Sequence, residues 1–401
     1  MRLSPKLVLV NQSAGPLFVE LAEDLAGNIG LSFLVTGARP EIRCPQLMLR
    51  PAPAYDRRNL FTRLWSWMRF LLVAQREILS LKPTVPLLVV SNPPMLPWLA
   101  LLSHLFCGRN YIVLVYDIYP DILINLGKIR SSSLLIHLWR YFNLLSYHHA
   151  AQVVTLGSHM ARTLQQAARA QRLSVQVSIV PTWVDTDRFV PLDKASNDFA
   201  LRHGQGVKLT VLYSGNIGFS HDIGILIDAA RILCDVESFH FVIIGGGPGK
   251  TALVEQVRRG NLANVTFLPY QPEEMLPYSL ASADVAVVSI GRGAEGLMMP
   301  SKTYYAMAVG SALIGISHPP NDLTEVIEQY GCGVNVLPGD VEGLVAALQR
   351  FLADEDYLRA ARRKARDAAV QHFSRAMNTK RFLGLVQSCL GIDRGGLPTS
   401  L

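Results

Sequence analysis

Short apolar runs alternate with helix-length segments along the whole chain, and this alternation constrains the fold most. A strand, a helix and a further strand in succession build a parallel sheet with crossover helices. In the first half the strand candidates are Leu7–Val10, Leu31–Thr36, Leu87–Val90, Tyr111–Val115, Gln152–Thr155 and Val177–Val180. The helices between them include Leu60–Leu81, Leu134–His149 and Met160–Arg172. In the second half the strands read as Leu209–Ser214, Phe239–Ile244, Val265–Leu268, Val285–Ser289, Leu313–Ile316 and Gly333–Leu337. The helices there read as Ile223–Cys234, Thr251–Arg259, Met275–Ala281, Thr303–Val309, Asp322–Gln329, Val341–Ala353 and Tyr357–Val370, with a last segment Ser374–Leu390. At 401 residues the chain exceeds one ordinary core. Two α/β halves are therefore expected, joined near Pro181–Gly206, where Pro181, Asp185, Asp187, Pro191 and Asn197 gather.

Half of the residues are hydrophobic and 17% are charged, so each half can bury a core. No apolar run reaches the length of a membrane span; the nearest, Met95–Phe106, is short and contains His104. The start, Met1 to Lys6, runs straight into an apolar strand and does not read as a signal peptide. The five cysteines lack ligand spacing and are expected to be reduced thiols in a cytoplasmic protein. No metal site is expected, because the one histidine pair, His148-His149, does not share a helix face. The net charge of +7 is uneven: residues 1–190 hold 19 Lys+Arg against 10 Asp+Glu. Apolar and basic residues interleave from Arg57 through Arg58, Phe61, Arg63, Trp65, Trp67 and Arg69 to Leu72. Arg and Trp at this density favour an anionic membrane surface over nucleic acid. A core helix with an exposed basic face is the alternative.

Open α/β sheets bind ligands at the carboxyl ends of their strands, and four such ends in the second half carry suitable residues. Ser214-Gly215-Asn216-Ile217-Gly218 follows one apolar run, and Gly245-Gly246-Gly247-Pro248-Gly249 a second. Pro269-Tyr270-Gln271 follows a third. The fourth is Ala294–Gly310, which sets Glu295 before Gly296, Leu297 and Met298, then places Pro300-Ser301-Lys302 at a helix start ahead of Tyr305. Free amides at a helix start suit a phosphate, and Lys302 adds a full charge. Gly245–Thr251 mimics a P-loop but leaves three residues, not four, before Gly249-Lys250-Thr251. After the first strand, Asn11–Pro16 holds one glycine and not the three of a dinucleotide fingerprint; a plain turn is favoured there. In the first half, Asp117 follows Val115-Tyr116, where a carboxylate either orients or deprotonates an acceptor hydroxyl or merely closes a turn. Ser91–Pro94 occupies another strand end.

The segments Ile179–Phe189, Ile243–Pro248, Asn264–Pro269, Ala283–Val285 and Pro300–Gly310 resemble, in this order, the motifs of family 4 retaining glycosyltransferases. Ser91–Pro94 and Tyr116–Asp121 resemble more particularly the branch that builds capsular, colanic-acid-like or O-antigen polysaccharides. The resemblance implies the GT-B type of α/β fold: two Rossmann-like domains with parallel sheets facing a central cleft. Residues 1–185 would bind the acceptor and 186–375 the nucleotide-sugar donor, with 376–401 crossing back as a helix plus tail. It implies transfer with retention from a nucleotide-sugar, a UDP-sugar favoured, to a polyprenyl-diphosphate-linked saccharide. Neither a metal nor a cofactor is implied, the nucleotide-sugar being a substrate. The implied place is peripheral, on the inner face of the cytoplasmic membrane, without nucleic acid.

Carried over residue by residue, Glu295 matches the first of the family's paired glutamates, near the donor sugar. Tyr305 stands where the second, ribose-holding glutamate is expected. The family's Arg and Lys on the diphosphate would fall near Asn216 and His221, and this chain has neither. Lys302 is then the cation assigned to the diphosphate. Those departures keep two alternatives open: a scaffold or binding subunit with little activity, and a sugar-nucleotide epimerase.

Overall fold

The computed structural model describes residues 4–56, 58–125, 127, 129, 133–218 and 222–390. It divides into two units, one of Met1–Pro181 with Ala376–Leu401 and one of Thr182–Arg375. The tail from 391 onward lies outside the described residues.

The first unit holds a seven-stranded, all-parallel sheet. Its strands are β1 (Leu7–Val10), β2 (Ser32–Thr36), β3 (Leu47–Pro51), β4 (Leu87–Val90), β5 (Tyr111–Val115), β6 (Gln152–Thr155) and β7 (Val177–Ile179), in the order β3-β2-β1-β4-β5-β6-β7. Strands β1, β2, β4 and β5 are buried along their whole length, as the unbroken apolar runs require. β3 was not expected, because Arg50 and Pro51 interrupt its apolar character; it survives as the edge strand, where a proline is tolerated. Two helices join those expected, Pro16–Ile29 and Leu96–Cys107, the second formed from the short apolar run around His104. Right-handed crossovers put the helices Leu60–Leu79, Leu96–Cys107, Leu134–His148 and Ser158–Ala170 on one face of the sheet.

The Leu60–Leu79 helix is pinned at both ends. Asn59 and Thr62 form a reciprocal capping box at its start. Past its end, the buried Arg109 guanidinium donates to the carbonyls of Ile78, Leu81, Lys82 and Val85 and, through Nε, to Ser103 Oγ. One cation thus satisfies carbonyls that the helix and the following turn leave open.

The second unit holds a six-stranded parallel sheet of β8 (Leu209–Asn216), β9 (Phe239–Gly246), β10 (Val265–Leu268), β11 (Val285–Ser289), β12 (Ala312–Ile316) and β13 (Gly333–Val336), ordered β10-β9-β8-β11-β12-β13. Its core gathers Val211, Tyr213, Phe241, Ile243, Val287 and Ile314 with the helices above them. At the edge away from the strand ends, buried Asp284 accepts from Thr210 N–H at 2.8 Å and from Arg362 Nη1 at 2.9 Å, and is paired with Lys194. Arg366 donates to the carbonyls of Thr186, Phe189 and Ala308. The Arg366 bonds fasten the crossover around Thr182–Phe189 to its own unit, and the Asp284 contacts explain the Ala283-Asp284-Val285 motif structurally. The five cysteines are free thiols.

Candidate functional site

The strand-end glycines of the second unit lie further inside the sheet than expected. β8 runs to Asn216 and β9 to Gly246, with Gly215 opposite Gly245 and Asn216 opposite Gly246. Gly245 has φ +141°, and a Cβ there would stand 1.9 Å from the Gly215 carbonyl oxygen, so no other residue fits. The glycines thus bring two strand ends together. Gly218 closes this loop, and the following residues through His221 lie outside the described residues.

Lys302 begins the helix Lys302–Ala308, and its ammonium folds back onto β8. Nζ stands 4.0 Å from the centroid of the Tyr213 ring and 3.4 Å from where a Cβ on Gly215 would be. Burial pushes the ammonium down to about 7. The amides expected to be free at this helix start are partly spent: Thr303 and Tyr304 N–H donate to the carbonyls of Pro300 and Ser301. The Lys302 side chain is therefore the main positive charge of the segment, more than the seven-residue helix behind it.

Glu295 lies seven residues before Lys302 in a turn closed by Ala294 N–H on Gly291 O and Leu297 N–H on Ala294 O. Its Oε2 accepts from Gly293 N–H at 2.5 Å, while Oε1 is buried with no hydrogen-bond partner among the described residues. A buried acceptor without a donor is costly, and a ligand hydroxyl would satisfy it. Two hydroxyls that the sequence did not single out share this condition: Ser289 Oγ at the end of β11 and Thr303 Oγ1. Their types gave no signal, since Ser and Thr inside apolar runs read as core filler. Leu297 is buried in the unit's interior and Gly296 takes φ +67°, so both shape the turn; Met298 is half-buried.

A mainly apolar cavity of about 200 Å³ lies beside Lys302, with Ser214, Leu280, Val288, Ser301 and Tyr305 in its wall. That volume takes one moiety of a ligand and not a whole nucleotide-sugar. Tyr305 packs edge-on against Phe189 at 4.8 Å. Tyr270 Oη donates to the Gly246 carbonyl at 3.2 Å, closing the β9 and β10 ends. Pro248 sits in the turn after β9, whose Gly249 N–H donates to Ile217 O. The P-loop mimic is a structural fastening: Lys250 Nζ donates to the carbonyls of Gly245 and Leu268 at 2.8 and 3.1 Å. The arginine-lined cavity of about 490 Å³ on this unit contains Asp284, Arg362 and Arg366; Asp284 and Arg362 are paired with each other, and Arg366 is spent on carbonyls. Among the described residues no group of three or more His, Cys, Asp or Glu is placed to hold a metal ion.

In the first unit, Asp117 follows β5. Its N–H donates to Ser91 Oγ at 3.4 Å, and Tyr116 N–H does so at 3.1 Å, so the Ser91–Pro94 turn positions the Asp117 backbone. Burial raises the Asp117 carboxyl to about 6.

A family model described as glycosyl transferases group 1 matches residues 198–368. WcaI of Escherichia coli strain K12, named as a colanic acid biosynthesis glycosyl transferase, is 30% identical over 324 residues, which cover 79% of this chain and 77% of WcaI. The chain belongs to the group 1 glycosyl transferases. Group 1 membership agrees with the architecture, which is the α/β, GT-B type. Sucrose-phosphate synthase from Thermosynechococcus elongatus superposes with a TM-score of 0.76 at 16% identity, over 97% of this chain and 99% of that one. HepE of Anabaena, solved in complex with UDP-glucose, gives 0.70 at 14%, over 95% and 99%. The group 1 model spans the Glu295–Lys302 segment and the glycine ends of β8 and β9.

Proposed function

We propose that this glycosyl transferase moves a sugar from a nucleotide-sugar, a UDP-sugar favoured, to a polyprenyl-diphosphate-linked saccharide, with retention and without a metal, in cell-surface polysaccharide biosynthesis. One observation carries the reading: a single segment sets the Lys302 ammonium against a glycine strand end and leaves a buried Glu295 oxygen unpartnered. The donor's diphosphate is placed at Lys302 and Gly215–Gly218, with Pro300 and Ser301 shaping the approach, and its sugar hydroxyls at Glu295. Tyr305 and its cavity take the ribose side. As the bond between the sugar's anomeric carbon and the β-phosphate oxygen breaks, the electron pair goes to that oxygen, and Lys302 stabilises it. The acceptor hydroxyl bonds to the anomeric carbon on the same face, and its proton goes to Asp117 or to the leaving phosphate.

The names of relatives support the pathway and the donor: WcaI is named for colanic acid biosynthesis, and HepE holds UDP-glucose. The enzyme works peripherally at the inner face of the cytoplasmic membrane. Supporting this, Phe61, Trp65, Met68 and Leu72 are exposed on one side of the Leu60–Leu79 helix. No helix among the described residues is long and apolar enough to cross a membrane.

The deciding measurement is a panel of UDP- and GDP-sugars with a polyprenyl-diphosphate-sugar acceptor. Transfer from one donor, with the anomeric configuration kept, is expected. Donor binding without turnover would replace this reading with a binding subunit, and donor interconversion with an epimerase.

A further inference from the structure

The helix Leu60–Leu79 enters between β3 and β4, so it runs against the strands and starts at the carboxyl edge of the first sheet, the edge that carries Asp117. Its two sides differ. Ser66, Trp67, Phe70, Ala74 and Ile78 face inward and are buried, while Phe61 and Trp65 are 77% and 54% exposed. Beside the first turns lies a groove of about 770 Å³, walled by Tyr55, Asp56, Arg58, Trp65, Ser66 and Arg69. Its cations are not equivalent. Arg58 is held by Asp56 at 2.7 Å, whereas Arg69 is exposed and has no ion pair among the described residues.

Beneath the groove, polar atoms are left unsatisfied. Gln12, 2% exposed, follows β1 and donates from Nε2 to the Ser66 and Pro53 carbonyls at 3.0 and 3.3 Å, but its Oε1 has no partner among the described residues. Arg63 Nε, outside the groove wall, is also buried without a partner among the described residues. Arg63 and Tyr55 are both electrostatic neighbours of Tyr119, as is Asp117. Tyr55, stacked on Trp67 at 6.3 Å, therefore belongs to the groove wall and also to the surroundings of Asp117. An exposed arginine beside a tryptophan, at the head of an apolar helix face, suits an anionic head with an apolar chain.

Resting on the transfer reading above, we propose that this groove seats the phosphate of a lipid-linked acceptor, positioned by Arg69. The first units of the acceptor's chain lie on Trp65 and the exposed side of the helix. Its sugar hydroxyl then reaches Asp117. Arg69 is the positioning residue, and Trp65 the apolar contact.

Isothermal titration of the intact chain with geranyl diphosphate, geraniol and inorganic pyrophosphate tests this. Geranyl diphosphate is expected to bind more tightly than pyrophosphate, and geraniol most weakly. The titrations are made in the Lys302→Ala background, which removes the proposed donor-diphosphate cation in the other unit; there Arg69→Gln weakens geranyl diphosphate at least tenfold and Arg69→Lys recovers part of the loss. In transfer assays Arg69→Gln raises the acceptor KM by a similar factor and lowers kcat less. No binding of geranyl diphosphate in that background, or equal binding with and without Arg69→Gln, overturns the proposal. Pyrophosphate binding as tightly as geranyl diphosphate overturns the lipid assignment in favour of a free-phosphate site. Because titration needs no turnover, a chain that binds geranyl diphosphate yet transfers no sugar would refute the transfer reading alone.

Discussion

Lys302 concentrates the chemistry of the second unit in one side chain. Its ammonium sits against Tyr213 and Gly215 and nothing anionic is paired with it among the described residues. A preorganised donor of this kind is worth about 3 kcal/mol in the transition state. Lys302→Ala is therefore expected to lower kcat by a hundredfold or more. Stability should not follow. Burial depresses the folded value to about 7 from 10.5, so the folded chain holds this proton less tightly than the unfolded one. The resulting stability is present above 10.5 and lost as pH falls through about 7. At pH 6 the alanine variant should melt no lower than wild type. Loss of activity accompanied by an equal loss of melting temperature would reduce Lys302 to a packing residue. Glu295 and Lys302 were legible because a lone acid and a lone base stand out in an apolar stretch. Ser289 and Thr303 were not, because only burial without a partner marks them. Lys250 was a decoy that spacing rejected, one residue short of a phosphate loop, and its ammonium is spent on two carbonyls.

Among the elements, strand runs such as Leu87–Val90 and Tyr111–Val115 were readable to the residue, since buried parallel strands show as continuous apolar runs. The ends of β8 and β9 were not, because glycine reads as a turn until register sets Gly215 against Gly245. The Leu60–Leu79 helix was legible as a helix, but its two readings, membrane face or core helix, could not be separated by period alone. Burial now divides them by side: Phe70, Ala74 and Ile78 are fully buried, and Phe61, Met68 and Leu72 are exposed. The exposed side should insert at an anionic interface, aided by Arg69 and Arg76. Flotation with phosphatidylglycerol-containing liposomes is expected to recover the protein at low salt and progressively less as salt rises. Replacing Phe61 and Leu72 together by Asp should abolish recovery while leaving the far-UV spectrum unchanged. Recovery of that double variant equal to wild type would remove the helix from the interface.

At the scale of the molecule, the basic excess of residues 1–190 falls in the unit that carries Asp117, and the donor-site features fall in the other. The double α/β plan was legible because each half repeats the same alternation. The proposed division of chemical labour was legible only through Asp117, just after a strand of the first half, and Lys302, at a helix start in the second. Those two groups titrate for the same physical reason, burial, in opposite directions: the Asp117 carboxyl is raised to about 6 and the Lys302 ammonium lowered to about 7. In the proposed reaction Asp117 accepts a proton only once ionised, so kcat/KM should climb as pH rises through about 6. In the same proposal Lys302 stabilises the leaving phosphate only while protonated, so kcat/KM should fall as pH rises through about 7. The expected profile is a narrow bell, whose limbs belong to different units and can be removed separately. Asp117→Asn should flatten the acid limb and leave the alkaline one. Lys302→Arg keeps its charge across the range and should carry the alkaline limb to higher pH. An acid limb that persists in Asp117→Asn would hand the acceptor proton to the leaving phosphate. An alkaline limb unmoved in Lys302→Arg would require a different cation at the donor diphosphate.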